Sequence, residues 1–145
     1  MSLDHGYYLE DLSAGMEASV SKTVTNEDIT TFAELSGDIN PVHLNEEFAA
    51  GTIFKKRIAH GFLTGSLFST VLGTKLPGPG CVYMSQTMKF KGPVFIGDQL
   101  VATCTVTNVD MEKGRVSFDC VCEANGRPVL TGEALMMVSR RPNGD

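Results

Sequence analysis

From Ala59 to Thr74 the chain carries no Lys, Arg, Asp or Glu. Phe62, Leu63, Ser66, Leu67, Thr70 and Val71 leave little polar surface on the helix that this segment predicts, which begins near His60 or Gly61. A helix apolar nearly all round is expected to be buried, so the rest of the chain has to cover it. Gly65, Ser66 and Ser69 are small, which lets other backbone approach closely. Leu76-Pro77-Gly78-Pro79-Gly80 ends the helix sharply.

The cover is legible on either side. Leu100, Ala102, Cys104 and Val106 alternate with Thr103, Thr105 and Thr107, the period of a half-buried strand. Val116, Phe118, Cys120 and Cys122 repeat that pattern. Asn125-Gly126 is a two-residue hairpin signal leading to a returning strand over Val129–Ser139. Val82 to Phe90 alternates moderately, and a first strand is expected near Glu17 to Thr23. Before the central helix, Thr25 and Asp28 resemble a capping box, and Ile29, Phe32, Ala33 and Leu35 form an apolar face. Gly37 is a stop signal, and a short helix capped by Asn45 is expected up to Ala50. The pattern is α+β: one domain over residues 1–145, with an antiparallel sheet wrapped around a long central helix, the hot-dog arrangement. A sandwich with helices on one face satisfies the same pattern.

Composition narrows the function classes. The 145 residues suit one domain, and a net charge of −5 argues against a nucleic-acid partner. The acidic start lacks an apolar leader, and no stretch reaches the roughly 18 apolar residues of a membrane span, so a cytoplasmic protein away from membranes is expected. Cys81, Cys104, Cys120 and Cys122 then read as reduced thiols. Cys120 and Cys122 face the same side of a strand, as core filler. No CxxC pair or adjacent histidine suggests a metal.

Chemistry concentrates between Gly37 and His43. Asp38 and His43 follow a helix end, separated by a stiff link. Gly37 permits positive φ, while Pro41 fixes its own φ and pushes Asn40 toward extended backbone. Such a turn can bring a carboxylate and an imidazole to one spot, where they could hold a water and move its protons. Asp, Asn and Asn-Pro are equally common turn formers, and a loop His can simply bond to backbone. Ala59-His60-Gly61-Phe62 offers the second element. N–H groups at a helix start lack intrahelical partners, and Gly61 lets a carbonyl approach its own N–H closely enough to stabilise a developing enolate. An ordinary helix start with His60 packed or solvent-facing accounts for the same residues.

Phe32, Ser36-Gly37-Asp38, Asn40-Pro41-Val42-His43 and Ala49 together resemble the hydratase-2 motif of MaoC-like hydratases. Arg57-Ile58-Ala59-His60-Gly61, Leu72 to Gly80, Ser85-Gln86 and the Pro93–Asp98 turn are similar to the family as well. The resemblance implies a hot-dog homodimer in which two sheets join. It also implies (R)-specific hydration of trans-2-enoyl-CoA, or the same reaction on a thioester of acyl carrier protein, with no metal or other cofactor. Asp38 and His43 would handle the water and the Gly61 N–H the oxyanion. Asn40 would order the loop and Ser69 would bond near Asp38. Phe54, Leu72 and Met137 would line the acyl site, and Lys55, Lys56 or Arg57 would meet the carrier's phosphates. A hot-dog thioesterase and a non-catalytic acyl-thioester module are the competing readings.

Overall fold

The computed structural model describes residues 4–142, so both ends of the expected 1–145 domain lie outside the described residues. After a one-turn 3-10 helix at Leu9–Asp11 the elements are β1 (Glu17–Thr23), α1 (Asn26–Ser36), α2 (Pro41–Leu44), α3 (Glu46–Ala50) and α4 (Gly61–Thr74). Then come β2 (Val82–Gln86), β3 (Lys89–Phe90), β4 (Gln99–Asp110), β5 (Arg115–Ala124) and β6 (Arg127–Met137). The strands form one antiparallel sheet in the order β1-β4-β5-β6-β2, with β3 on β6. The architecture is α+β, a sheet curled against α4.

Local chemistry sets the element ends. Thr25 accepts from the Asp28 N–H while Asp28 accepts from the Thr25 N–H, a reciprocal cap for α1. Gly37 closes α1 in the left-handed region at φ 79°, a conformation that favours glycine. Asn45 caps α3 through the Phe48 N–H. Asn125 and Gly126 take φ 51° and 86° and join β5 to β6.

The alternation read from sequence becomes the core. Leu67, Phe68, Val71 and Leu72 on the inner face of α4 pack with Leu100, Ala102 and Val106 of β4, Phe118 of β5 and Leu130 and Met136 of β6. Each fully buried Val, Leu, Phe or Met among them contributes about 1.5–3 kcal/mol. Cys104, Cys120 and Cys122 belong to the same core as free thiols. Burial pushes the Cys122 thiol up to about 11. No helix among the described residues is long and apolar enough to cross a membrane.

Two expectations change. The Val82–Phe90 run is two strands, because regular pairing with β6 lapses over Thr87 and Met88, where Thr87 still bonds to Glu133, and resumes at Lys89. The central helix is not buried nearly all round. The sheet covers one side, leaving Phe62, Ser66, Ser69, Thr70 and Gly73 exposed along the other, with Phe62 at 64%. This outer face is bare of charge, but small and hydroxylated residues make it compatible with water.

Candidate active site

The link between α1 and α3 is not a plain turn. Asn40 accepts from the Val42 N–H and Pro41 occupies the first turn, so the link winds into the one-turn helix α2. Its last turn carries His43. Asp38 stands before the cap, where its carboxylate accepts from the Asn40 N–H at 3.2 Å and its own N–H donates to Ser36 Oγ at 3.1 Å.

His43 is only 8% exposed, and its Nδ1–H donates to the Ile58 carbonyl at 2.8 Å. That bond puts the neutral ring's proton on Nδ1 and leaves Nε2 able to accept. Burial lowers the His43 pKa from 6.5. The Ile58 carbonyl opposes this, His60 adds to it, and Asp38 opposes it. Arg57 Nε donates to the His43 carbonyl at 2.7 Å, which satisfies the end of α2.

His60 stands immediately before α4 and is 2% exposed. Its ring stacks on His43 with centroids 3.9 Å apart and planes 27° from parallel. Its Nε2–H donates to the Asp38 carbonyl at 2.9 Å, and Phe32 packs against it at 4.9 Å. One donor atom from each of Asp38, His43 and His60 falls within 4.8 Å of the others. These three could be considered for a metal, but near-parallel rings send their in-plane lone pairs side by side rather than onto one ion. The arrangement suits water and protons better.

A cleft of about 600 Å³ begins at His43 and Gly61 and runs between Phe54, Phe62, Phe90 and Val129, with Lys91 among its lining residues. The Gly61 N–H begins α4 and finds no acceptor among the described residues. A Cβ on Gly61 would lie 2.4 Å from the Phe90 ring, so glycine is what lets this amide and that ring share the wall.

The structure therefore brings His43, Gly61 and Phe54 together along the cleft, with Asp38 beside His43 and Asn40 bonded to Asp38. Leu72 is completely buried in the core, and Met137 ends β6 opposite Val82 and Arg115, so neither lines this cleft. Leu72 falls on the inner face of α4, where packing claims it. Ser69 lies on the outer face and makes no hydrogen bond to Asp38 among the described residues. The basic run is divided. Arg57 is engaged with His43 and Glu46, Lys56 lies over the Phe95 ring at 4.6 Å, and Lys55 is exposed. Sequence reasoning missed the place of His60 and the engagement of Arg57. The signal for His60 was a titratable residue opening an otherwise uncharged, buried segment.

Comparison with known proteins gives a consistent result. Residues 10–123 match the model of the MaoC-like domain. The chain is 50% identical to the (R)-specific enoyl-CoA hydratase of Rhodospirillum rubrum over 93% of its own length and 94% of that protein. It is 46% identical to the 3-hydroxybutyryl-CoA dehydratase of Methylorubrum extorquens, over 95% of this chain and 88% of that one. Among solved structures, the (R)-hydratase from A. caviae involved in PHA biosynthesis superposes with a TM-score of 0.86 at 39% identity, covering 89% of this chain and 98% of the other.

Proposed function

The chain belongs to the MaoC-like family, and from that membership we propose that it is an (R)-specific hydratase converting trans-2-enoyl-CoA to (R)-3-hydroxyacyl-CoA, with dehydration as the reverse. The observation that carries this reading is the closeness of the Asp38 carboxylate to the His43 ring, with one ligand atom of each within 4.8 Å, beside an apolar cleft that His43 and Gly61 line.

The thioester carbonyl polarises the conjugated double bond and makes C3 electrophilic. In this reading the Gly61 N–H binds the carbonyl oxygen, and the charge building there strengthens the bond. A water held by Asp38 and His43 attacks C3 and gives up a proton to that pair. The π electrons move to the carbonyl oxygen as an enolate. The enolate collapses as C2 takes a proton from the same pair. Delivery of both groups from one side means syn addition. His43 suits this work because burial favours the neutral ring, and the bond to the Ile58 carbonyl keeps that ring's proton on Nδ1 and leaves Nε2 able to accept.

The acyl chain would run along Phe54, Phe62 and Phe90. Among the residues lining the cleft, Lys91 is the cation available to the carrier's phosphates, and Lys55 remains an exposed second. We assign CoA as carrier because the two relatives above act on CoA thioesters by name. A homodimer would cover the open edge of β2, where Val82, Tyr83 and Met84 stand exposed, and this edge supports that reading. With its cysteines unpaired, the protein suits the cytoplasm.

The test is crotonyl-CoA in two assays, loss of enoyl absorbance and release of thiol. Hydration consumes the absorbance, yields 3-hydroxybutyryl-CoA of R configuration and frees no thiol. Thiol release without a hydroxyacyl product would make the protein a thioesterase and sink the reading.

A further inference from the structure

The mechanism above uses Asp38, His43 and Gly61 but leaves His60 without work. His60 is a buried polar residue whose side chain does not cap its own helix. It reaches back to the Asp38 carbonyl instead. Its flat face covers the His43 ring, and Phe32 packs against it as well. Its Nδ1 is buried with no hydrogen-bond partner among the described residues. A residue there merely to fill space would be better apolar, since an unpaired buried nitrogen costs stability that a Phe or Leu would not. The next residue in the chain is Gly61.

We propose that His60 is a positioning residue for the hydration, fixing the Asp38 main chain through Nε2–H and the His43 imidazole through its ring face. Because Gly61 follows directly, His60 also sets the distance from the water-handling pair to the amide that holds the carbonyl. This role rests on the hydratase reading. It acts through Asp38 and His43 and involves no contact between His60 and the substrate.

The stack has an electrical consequence. The charged or titratable groups facing His43 are Asp38 before α2, His60 at the start of α4, Arg57 through the His43 carbonyl, and Glu46 of α3, which pairs with Arg57 at 3.9 Å. The two ring centroids lie 3.9 Å apart, and the interaction with His60 adds to burial in lowering the His43 pKa. His60 thus helps keep His43 able to accept a proton at neutral pH.

Two variants of the full chain separate the two tasks. His60→Phe keeps a ring against His43 and loses the donor to Asp38. His60→Gln keeps a donor and loses the ring. His60→Phe is expected to lower kcat on crotonyl-CoA by about tenfold or more with little change in KM, the scale of a displaced catalytic group. His60→Gln is expected to move the acidic limb of the kcat profile to higher pH. Folded variants that keep both the wild-type kcat and the wild-type limb overturn the proposal. Should either variant fail to fold, nitrogen NMR of the wild-type histidine rings decides. Protonation of His60 at Nε2, with its signals responding as His43 titrates, supports the role. A proton on Nδ1, or no response, overturns it. The hydratase reading fails separately, if Asp38→Asn and His43→Gln retain turnover. If those two lose turnover while the His60 variants keep it, only the positioning role falls.

Discussion

His43 and Asp38 are proposed to share one water but are held in opposite ways. His43 is 8% exposed, its ring is tied to Ile58 and stacked on His60, and its carbonyl is gripped by Arg57. Asp38 is exposed, and its carboxylate accepts one bond, from the Asn40 N–H. The anchored partner provides a fixed reference, and the open partner can adjust to an arriving water or substrate. In a general acid–base pair the fixed member sets geometry and the adjustable one completes it only in the loaded site.

The broadest test of the contrast is activity. Asp38→Asn and His43→Gln are each expected to cut turnover at least about a hundredfold, the scale of general acid–base help, in steady-state assays on crotonyl-CoA. Near-normal turnover in either variant removes that residue from the mechanism. Stability should then split the pair. His43→Ala removes a buried hydrogen bond and leaves a gap under His60, so chemical denaturation should show a loss of roughly 2 kcal/mol. Asp38→Asn should stay within about 0.5 kcal/mol of wild type. Equal losses would erase the distinction between an anchored and an open member.

The pH dependence follows from the anchored side. The folded-state pKa of His43 lies below its ordinary 6.5, so between that lowered value and 6.5 the unfolded chain binds more protons than the folded one. Acidification through this window lowers stability, and the contribution is complete above it. The acidic limb of kcat/KM should likewise fall below pH 6.5. A limb above that value would show that burial does not govern the ring. The smallest effect concerns the cleft. Phe54→Ala should raise the relative rate on longer enoyl-CoA substrates, and an unchanged chain-length preference would dismiss Phe54 as a selector.

Much of this was legible before the fold. The alternation of Leu100 to Val106 and of Val116 to Cys122 became β4 and β5 because period two leaves each side chain a definite face. Thr25 with Asp28, Asn45, and Asn125-Gly126 marked their ends because caps and turns act over a few residues. The rest depends on contacts across long separations. His60 meets Asp38 from 22 positions away, and a lone titratable residue at a helix start does not tell which partner it will find. Arg57 reads as part of a solvated basic run until α2 places the His43 carbonyl beside it. On the outer face of α4 absence of charge does not amount to burial, because Ser66, Ser69 and Thr70 tolerate water.

The adjacency of His60 and Gly61 bears on how this region tolerates change in length. A helix turns about 100° with each residue. One residue inserted between His60 and Gly61 would leave the ring on His43 while swinging the following amide about a quarter of the way around the α4 axis. One deleted there would swing it the other way. Insertions in the loop around Gly51 to Lys55 would disturb the Phe54 wall of the cleft but leave the adjacency of His60 and Gly61 intact. Among descendants of this sequence, gaps should accumulate before Arg57 and stay out of the four positions that follow it.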